Sequence, residues 1–457
     1  MRHVLWLGAA VGTLLAFLAA ADLVHAGARD LAAAYREVAT PFRDEEADLD
    51  RIITAAADRQ LVLLGESTHG TKEFYALRAE ISRRLIAEHG FSFVAVEGDW
   101  MSIARLDRYV RHDPQADDSA AAALRAADRW PHWLWANEEF AEFAEWLHEV
   151  NRDRPPAARV GIYGMDVYAP WRALDALLDW YAAEHPDRLT QVRADYAMFA
   201  RYRGDPNGYA RAAMANPTVW QGVAAGRTLT FGLWEAAIGI DSIGRDALKG
   251  SFRAAQKAAV IERAEQFYRM QPAEGSQSWN WRARHMQETV ARLLSLHAAE
   301  AAPTARPARG IVWAHNTHIG DARATAMANR GAQNIGQLAR QAYGDDNVFL
   351  VGLATYQGQA LAARRWDGAV ERMDVPSPPP GSFEATLQRM EVGNAVLVFP
   401  HRGDMAEPLR TVLGHRAVGV VYAPAEDHRR NYLPSIPALR YDALIFLEDS
   451  EPLTPLH

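Results

Sequence analysis

The sequence predicts an α/β fold with a mostly parallel central sheet flanked by helices, together with a large helical insertion. Four short apolar runs are typical of buried strands, and each of them leads directly into ionisable residues. Amphipathic helical segments separate the strands, and connections of that length imply parallel pairing. A long stretch with only helical periodicity, about 170–305, divides the third of these strands from the fourth.

Size and composition narrow the class of protein. The chain has 457 residues, 49% of them hydrophobic, which is enough for a large buried core. We expect one α/β domain over 27–457, with the insertion packed as a helical layer or cap. The formal net charge is −8 without a block of like charge, so nucleic acid is not an expected partner. The absence of cysteine excludes disulfides and thiolate nucleophiles.

The first 26 residues have the pattern of a signal peptide. A short basic start is followed by an apolar run over 4–21, and small residues ending at Ala26 offer a cleavage site. The apolar run is close to the length of a membrane span, so an uncleaved anchor in the inner membrane is the alternative. We therefore expect a periplasmic or secreted protein.

Strands and helices alternate before the insertion. Thr71 to His89 carries an apolar stripe at helical spacing and is followed by Gly90, which predicts an amphipathic helix with a glycine stop. The other elements predicted in this part are a helical segment at 29–58 broken at Pro41, strands at 61–65, 91–97 and 159–164, and Trp-rich helices at 100–155.

After the insertion the strand pattern resumes. Strands are predicted at 309–314, 347–355, 394–399, 418–422 and 442–447, with helices at 334–343 and 383–391. A proline-rich stretch at 375–381 is too short to be a domain linker, and we interpret it as a loop.

The densest cluster of chemically active residues is Gly65-Glu66-Ser67-Thr68-His69-Gly70, at a predicted strand-to-helix junction. In open α/β sheets, ligands bind at the carboxyl ends of the strands. Glu66 and His69 are three residues apart and can face one way on a turn that enters a helix. Ser67 lacks the glycine two residues later that a nucleophile elbow requires, so we interpret it as a packing or hydrogen-bonding residue.

Two other strand ends carry carboxylates. Glu97 ends an apolar run, where an unpaired carboxylate is costly to bury. Arg78 is a candidate counter-charge, because it lies about two and a half helical turns beyond His69, near the same helix face. Asp166 ends the third strand, where a role in the site and a role as a structural cap are both open.

His315-Asn316-Thr317-His318 follows the fourth predicted strand. Two histidines three residues apart suit either a general base with a helper or a metal site. The metal alternative would use Zn²⁺ or Mn²⁺ with ligands drawn from Glu66, His69, Glu97, His315 and His318. These residue types do not distinguish the two chemistries. No glycine-rich phosphate loop or dinucleotide turn is present, so a nucleotide cofactor is not expected.

Four motifs in this order, GESTHG, VEGDW, GMDVY and VWAHNTH, resemble the erythromycin esterase family, and the resemblance covers roughly residues 40–450. It implies an α/β core with helical additions. It also implies hydrolysis of a macrolide lactone ester by activated water, with no covalent serine intermediate, and hence a role in the response to antibiotics. We expect a carboxylic ester hydrolase with a small-molecule substrate, no cofactor and no protein partner.

The resemblance assigns residues as well. The family's Glu-x-x-His motif, its following arginine, its second acidic residue and its paired histidines fall on Glu66, His69, Arg78, Glu97, His315 and His318. The stretch 279–286 resembles a family helix bearing an arginine, which points to Arg282. We expect Asp166, Arg282 and Asn316 to contact the substrate or to support the catalytic residues.

The expected mechanism is general-base hydrolysis. His69, His315 or His318 removes a proton from water, while Glu66 or Glu97 orients the imidazole. Arg78 or a protonated histidine then stabilises the oxyanion. The export signal departs from the cytoplasmic resistance esterases, so the macrolide substrate does not follow from the resemblance. One alternative is a metal-dependent periplasmic hydrolase of another ester or envelope polysaccharide, with the same residues as ligands. The other is a non-catalytic ligand-binding protein, which the Trp-rich helices and the many histidines favour.

Overall fold

The computed structural model describes residues 30–456 apart from 44, 128, 239–244, 271–275 and 301–306. The signal peptide predicted at 1–26 lies outside the described residues. Among the helices of the described part of the chain, none is long and apolar enough to cross a membrane.

Twelve strands occur in the described residues, and eight of them form the central sheet. The strands are β1 (Ala39–Pro41), β2 (Leu61–Leu64), β3 (Phe93–Asp99), β4 (Gly161–Asp166), β5 (Gly310–Trp313), β6 (Val348–Thr355), β7 (Gly358–Ala363), β8 (Val370–Val375), β9 (Ala395–Val398), β10 (Leu413–Arg416), β11 (Tyr432–Ser435) and β12 (Ala443–Leu447). The sheet order is β1-β9-β12-β6-β2-β5-β3-β4. From β12 to β4 every neighbouring pair is parallel, whereas β9 is antiparallel to both β1 and β12. β7–β8 and β10–β11 are separate antiparallel pairs.

Helices cover both faces of the sheet. They are α1 (30–38), α2 (Glu45–Asp48), α3 (Asp50–Ala56), α4 (Lys72–His89), α5 (Trp100–Val110), α6 (Ala120–Arg125), α7 (Glu138–Arg152), α8 (Pro170–Glu184), α9 (Leu189–Ala200), α10 (Pro206–Ala215), α11 (Thr218–Ile238), α12 (Arg245–Met270), α13 (Gln277–Glu300), α14 (Asn316–Ile319), α15 (Ile335–Tyr343), α16 (Phe383–Gln388), α17 (Asp427–Arg430) and α18 (Pro437–Arg440). The predicted α/β fold, with a mostly parallel sheet and added helices, is confirmed.

The alternation of side chains along the strands divides the core into two layers. Leu61 and Leu63 of β2 pack in one cluster with residues of α8 to α13. Val62 and Leu64 point to the opposite face and pack in a second cluster with α3, α4, α5 and α7. The helices between β4 and β5 therefore cover one face of the sheet.

Some sequence-based expectations about the fold are wrong. Residues 418–422 do not form a strand but make isolated bridges, Val418 to Thr68 and Val421 to Ala363. Val418 and Tyr422 are buried in a small cluster beside β7 and β8. The apolar pattern of 418–422 therefore reflects burial of these side chains and not pairing with a neighbouring strand. The strands β7, β8, β10 and β11 were not predicted. Pro41 does not break a helix but ends β1, an edge strand, where a proline leaves no central ladder bond unmade.

Helix α4 agrees with its prediction. It ends at Gly90, whose φ of 72° is left-handed and whose N–H donates to the Leu85 carbonyl. The strand order was not foreseen, because β5 lies between β2 and β3 although it follows them by more than 200 residues in the chain. Because β5 lies between β2 and β3, the residues that follow β5 lie between Glu66–His69 and Glu97.

Candidate active site

A pocket of about 310 Å³ opens at the carboxyl ends of four neighbouring strands, β2, β5, β3 and β4. This is the position where parallel sheets place ligands. Six of the nine residues singled out in the sequence line the pocket, namely His69, Glu97, Asp166, Arg282, His315 and His318. Glu66 and Arg78 lie behind His69, and the Asn316 amide bonds to β6.

Two glycines shape the turn that carries Glu66 and His69. A Cβ on Gly65 would lie 1.9 Å from Asn316 Oδ1, so a side chain there would displace the amide. Gly70 has a φ of 76°, and a Cβ on it would lie 2.3 Å from the Leu361 carbonyl oxygen. Backbone bonds then fix the turn, because the His69 N–H donates to the Val418 carbonyl at 3.0 Å.

Glu66 connects His69 to a buried arginine. His69 Nδ1 lies 2.7 Å from Glu66 Oε1, and Arg78 Nη2 donates to Glu66 Oε2 at 3.1 Å. The Arg78 side chain is fully buried, with its guanidinium over the Tyr75 ring at 4.2 Å and the Trp313 ring at 5.0 Å. Arg78 therefore holds Glu66 and does not reach the pocket.

The same carboxylate sets the protonation of His69. Burial alone would lower the pKa of His69, but the Glu66 carboxylate reverses this effect and raises the pKa above its ordinary value of 6.5. Because Nδ1 donates its proton to Glu66, the neutral imidazole carries its lone pair on Nε2. His69 thus has the tautomer of a general base at the pocket wall.

Glu97 accepts hydrogen bonds from three donors on other elements. Arg282 Nη2 donates to Oε1 at 2.7 Å, His318 Nε2 lies 3.1 Å from the same oxygen, and the His315 N–H donates to Oε2 at 2.8 Å. Burial opposes ionisation, yet His318 and Arg282 hold the pKa of Glu97 well below its usual range. Glu97 lies where the β3–β4 register is irregular, between Val96 and Asp99.

Arg282 joins the helical layer to the sheet. Its Nε and Nη2 donate to Asp166 Oδ1 and Oδ2 at 2.9 and 2.7 Å, while Nη2 also reaches Glu97. The acidic neighbours raise the pKa of Arg282 although burial opposes them. Nη1 has no carboxylate partner within the described residues and lies 3.1 Å from His318 Nε2. Trp279, one helical turn before Arg282, stacks on the His318 ring at 4.3 Å.

His315 is held as a neutral donor. Its Nδ1 accepts from the Thr317 hydroxyl at 2.8 Å and from the Thr317 N–H at 3.2 Å, so Nε2 carries the proton towards the Ser67 carbonyl at 3.3 Å. Burial and the nearby His69, with a ring separation of 4.8 Å, keep the pKa of His315 well below its usual value.

Asn316 and Ser67 have supporting positions. The Asn316 amide donates to the Leu353 carbonyl at 2.8 Å and accepts from the Leu353 N–H at 3.4 Å, which ties the loop after β5 to β6. Ser67 is fully buried and does not line the pocket, and its hydroxyl has no hydrogen-bond partner in the described part of the chain.

Sequence reasoning missed several pocket residues. Tyr168 has two guanidinium groups near its ring, Arg129 at 3.8 Å and Arg282 at 5.6 Å from the ring centre. Its place two residues after Asp166, in the GMDVY motif, was the available signal. Trp366 has no comparable signal, because it lies in the turn between β7 and β8.

The arrangement of carboxylates and histidines at this site bears on the metal alternative. Among the described residues, no group of three or more His, Asp or Glu side chains is arranged to hold a metal ion. Glu66 and Glu97 instead direct their oxygens at Arg78 and Arg282, and a cation bound there would be repelled by the guanidinium groups.

A histidine–carboxylate pair and a second, arginine-bound carboxylate at the strand ends of an α/β sheet define a hydrolase type of site. The model of the erythromycin esterase family matches residues 86–450. The chain belongs to the erythromycin esterase family and is a hydrolase of that family. The matched range includes Glu97, Arg282, His315 and His318, whereas Glu66, His69 and Arg78 precede it.

Solved structures show the same fold. A succinoglycan biosynthesis protein is similar with a TM-score of 0.72 at 17% identity, covering 93% of this chain and 98% of its own. A Bacillus cereus protein has a TM-score of 0.74 at 17% identity, with coverages of 94% and 99%. A mutant erythromycin esterase in its open conformation has a TM-score of 0.59 at 13% identity, with coverages of 89% and 95%.

Proposed function

We propose that the protein is a carboxylic ester hydrolase that cleaves an ester or lactone with water activated by His69, and that macrolide antibiotics are among its substrates. The observation that carries this proposal is the Glu66–His69 pair at 2.7 Å, which lies in the wall of the strand-end pocket with Nε2 free of protein hydrogen bonds among the described residues.

The geometry favours His69 over the other two histidines as the base. Nδ1 of His315 is engaged by Thr317, and its Nε2 donates, so neither nitrogen is available for a proton. His318 directs Nε2 at Glu97 and Arg282, where a proton is shared with an existing carboxylate. His69 has both an orienting carboxylate and an open nitrogen.

The reaction proceeds by proton transfer through one imidazole. Water adds its oxygen to the ester carbonyl carbon while its proton moves to His69 Nε2. The carbonyl oxygen becomes an oxyanion, which Arg282 Nη1 stabilises. The intermediate then expels the alkoxide, which takes the proton from His69. Arg78 acts through Glu66 and holds this carboxylate in place.

We also propose that hydrolysis requires no metal ion. The arginine partners of Glu66 and Glu97 support this view, since they supply the positive charge that a metal would otherwise bring. Export to the periplasm through residues 1–26 is proposed on the sequence alone. An exported enzyme would meet esters of the cell envelope as well as macrolides. The similarity to a succinoglycan biosynthesis protein supports testing acylated polysaccharides as further substrates.

The test uses the chain from Gly27 onward with macrolides, simple esters and acylated glycans, each with and without a chelator. Mass spectrometry detects a lactone product heavier by one water, or the free acid and alcohol of an open ester. The matched variants are His69→Asn and His428→Asn, because His428 is exposed and remote from the pocket. We expect turnover that resists chelation, persists in His428→Asn and is lost in His69→Asn. Turnover that stops on chelation and returns with added Zn²⁺ would overturn the metal-free mechanism.

A further inference from the structure

A second cleft adjoins the mouth of the reaction pocket. It has a volume of about 650 Å³, roughly twice the 310 Å³ of the pocket, and the two share Arg129, Tyr168 and Trp366 as lining residues. A ligand held at His69 can therefore extend from the pocket into this cleft. We call it the outer cleft.

Aromatic side chains from four separate segments line the outer cleft. They are Trp130 before α7, Tyr168 before α8, Phe267 and Tyr268 near the end of α12, and Trp366 in the β7–β8 turn. Trp130 is held by a bond from its Nε1 to the Gly368 carbonyl at 2.9 Å, and its ring contacts the Trp366 ring at 4.5 Å. Trp366 is one of the few large hydrophobic side chains left exposed, at 52%.

Tyr168 lines both the outer cleft and the reaction pocket. Arg129 lies over its ring at 3.8 Å, and Arg282, which binds Glu97 and Asp166, lies 5.6 Å from the same ring. The phenol is further packed edge-on against Phe267 at 5.9 Å. Arg282 lines the reaction pocket and Tyr168 lines both cavities, so Tyr168 connects the outer cleft to the proposed oxyanion donor.

The polar groups of the outer cleft indicate its ligand. Arg129 donates hydrogen bonds, the Asp367 carboxylate accepts them, and the Asn207 amide does both. Within the described residues, no hydrogen bond or ion pair is made by the side chains of Asn207 and Asp367. A long acyl chain would cover these groups without bonding to them, and the presence of one cationic and one anionic side chain favours a ligand without net charge.

A neutral ring with hydroxyl groups at its edge and C–H groups on its face matches both the aromatic side chains and the polar groups of the outer cleft. The electron-rich face of an indole attracts the weakly positive C–H face of such a ring, while the hydroxyls bond to donors and acceptors at the rim. We propose that the outer cleft is a sugar-binding subsite, in which a pyranose ring carried by the ester substrate stacks on Trp366 and bonds to Arg129, Asn207 and Asp367. This inference rests on the proposed function, since it assigns the non-reacting part of that enzyme's substrate.

The test compares two esters with the same acyl group and similar size, the 6-O-acetyl ester of a methyl glucoside and cyclohexylmethyl acetate. The quantity is the ratio of their kcat/KM values in the wild-type enzyme, in Trp366→Ala, in Trp366→Phe and in Val412→Ala. Val412 is an exposed apolar residue, at 61%, that lines neither cavity, so it is the matched control.

We expect the wild-type enzyme to prefer the sugar ester, and Trp366→Ala to lower this preference by about fivefold, in line with the loss of one aromatic stacking contact. Trp366→Phe keeps a ring and retains most of the preference, and Val412→Ala retains all of it. Hydrolysis of both esters without preference, or a preference unchanged in Trp366→Ala, would overturn the sugar subsite and leave the esterase intact.

If neither ester is hydrolysed, the proposed function fails. The binding of methyl glucoside then tests the sugar subsite independently of catalysis. Isothermal titration with methyl glucoside should give heat with the wild-type chain and with Val412→Ala, and markedly weaker binding with Trp366→Ala. No binding to the wild-type chain, or equal binding to Trp366→Ala, would overturn the inference without reference to catalysis.

Discussion

Replacing Glu66 with glutamine tests the link between the buried charges and the proposed chemistry. Glu66→Gln keeps the shape of the side chain but removes the carboxylate that bonds His69 at 2.7 Å and Arg78 at 3.1 Å. Two separate effects are expected, one on catalysis and one on stability.

The catalytic effect follows from the pKa of His69. With the carboxylate gone, burial and the positive Arg78 both lower this pKa, and the imidazole loses the acceptor that fixes its tautomer. We expect kcat/KM to fall by about 10²–10⁴, the usual contribution of a positioned general base. A base works when it is neutral, so activity rises through the pKa of His69. This rising limb lies above pH 6.5 in the wild type and moves to lower pH in Glu66→Gln.

The stability effect follows from Arg78, whose side chain has no exposure and whose Nε and Nη1 have no hydrogen-bond partner in the described part of the chain. Leaving such a charge uncompensated costs about 3–5 kcal/mol in unfolding free energy. The double variant Glu66→Gln/Arg78→Met removes both charges and places an apolar chain against Tyr75 and Trp313. Urea unfolding should show most of the stability restored, while kcat/KM stays low.

The outcomes separate the two effects. If the double variant recovers turnover together with stability, the loss in Glu66→Gln came from folding and the catalytic role of Glu66 is refuted. An unshifted pH profile in a well-folded Glu66→Gln enzyme would refute the effect on the His69 pKa.

Three further predictions concern the rest of the site and the core. Arg282→Lys keeps the positive charge but loses the forked guanidinium that bonds both Asp166 and Glu97. We expect kcat/KM to fall by about 10²–10³ with little change in the urea unfolding midpoint. A large drop in the midpoint together with the loss of activity would argue for a purely structural arginine. Burial holds the pKa values of His285, His297 and His315 well below 6.5 in the folded protein, so the unfolded chain binds more protons at low pH. The unfolding free energy should therefore fall as the pH drops below about 6.5. A constant unfolding free energy between pH 7.5 and 5.5 would contradict this. Gly65→Ala forces a Cβ to 1.9 Å from Asn316 Oδ1 and should cost about 1–3 kcal/mol by urea unfolding, whereas Gly232→Ala, with open space around it, should not destabilise.

The sequence predicted the fold class and which residues would converge, but it did not predict the order of the strands. Parallel strands place their carboxyl ends at one edge, so ionisable residues after apolar runs were expected to meet, and Glu97 and His315 do meet. The position of β5 between β2 and β3 could not be predicted, because strand order depends on long-range packing of the helices that connect the strands.

The sequence also could not show which side chains reach the pocket and which stay buried behind it. The helical spacing put Arg78 near the face of His69, but only the packing of Tyr75 and Trp313 shows that it stays behind Glu66. Trp366 lies in a short turn without periodicity, so nothing in its neighbourhood separated it from other surface residues. Its partner Trp130 is more than 200 residues away in the chain.

A single-turnover reaction in ¹⁸O-labelled water, with enzyme in excess over ester, tests the central claim most directly. If His69 activates water for direct attack, the acid product carries the label after the first turnover, and His69→Gly loses this reaction at least about a hundredfold. If Glu66 or Glu97 attacks the ester and forms an anhydride, hydrolysis at the enzyme carbonyl gives a first product without label. An unlabelled first product, or near-normal turnover in His69→Gly, would contradict hydrolysis by His69-activated water.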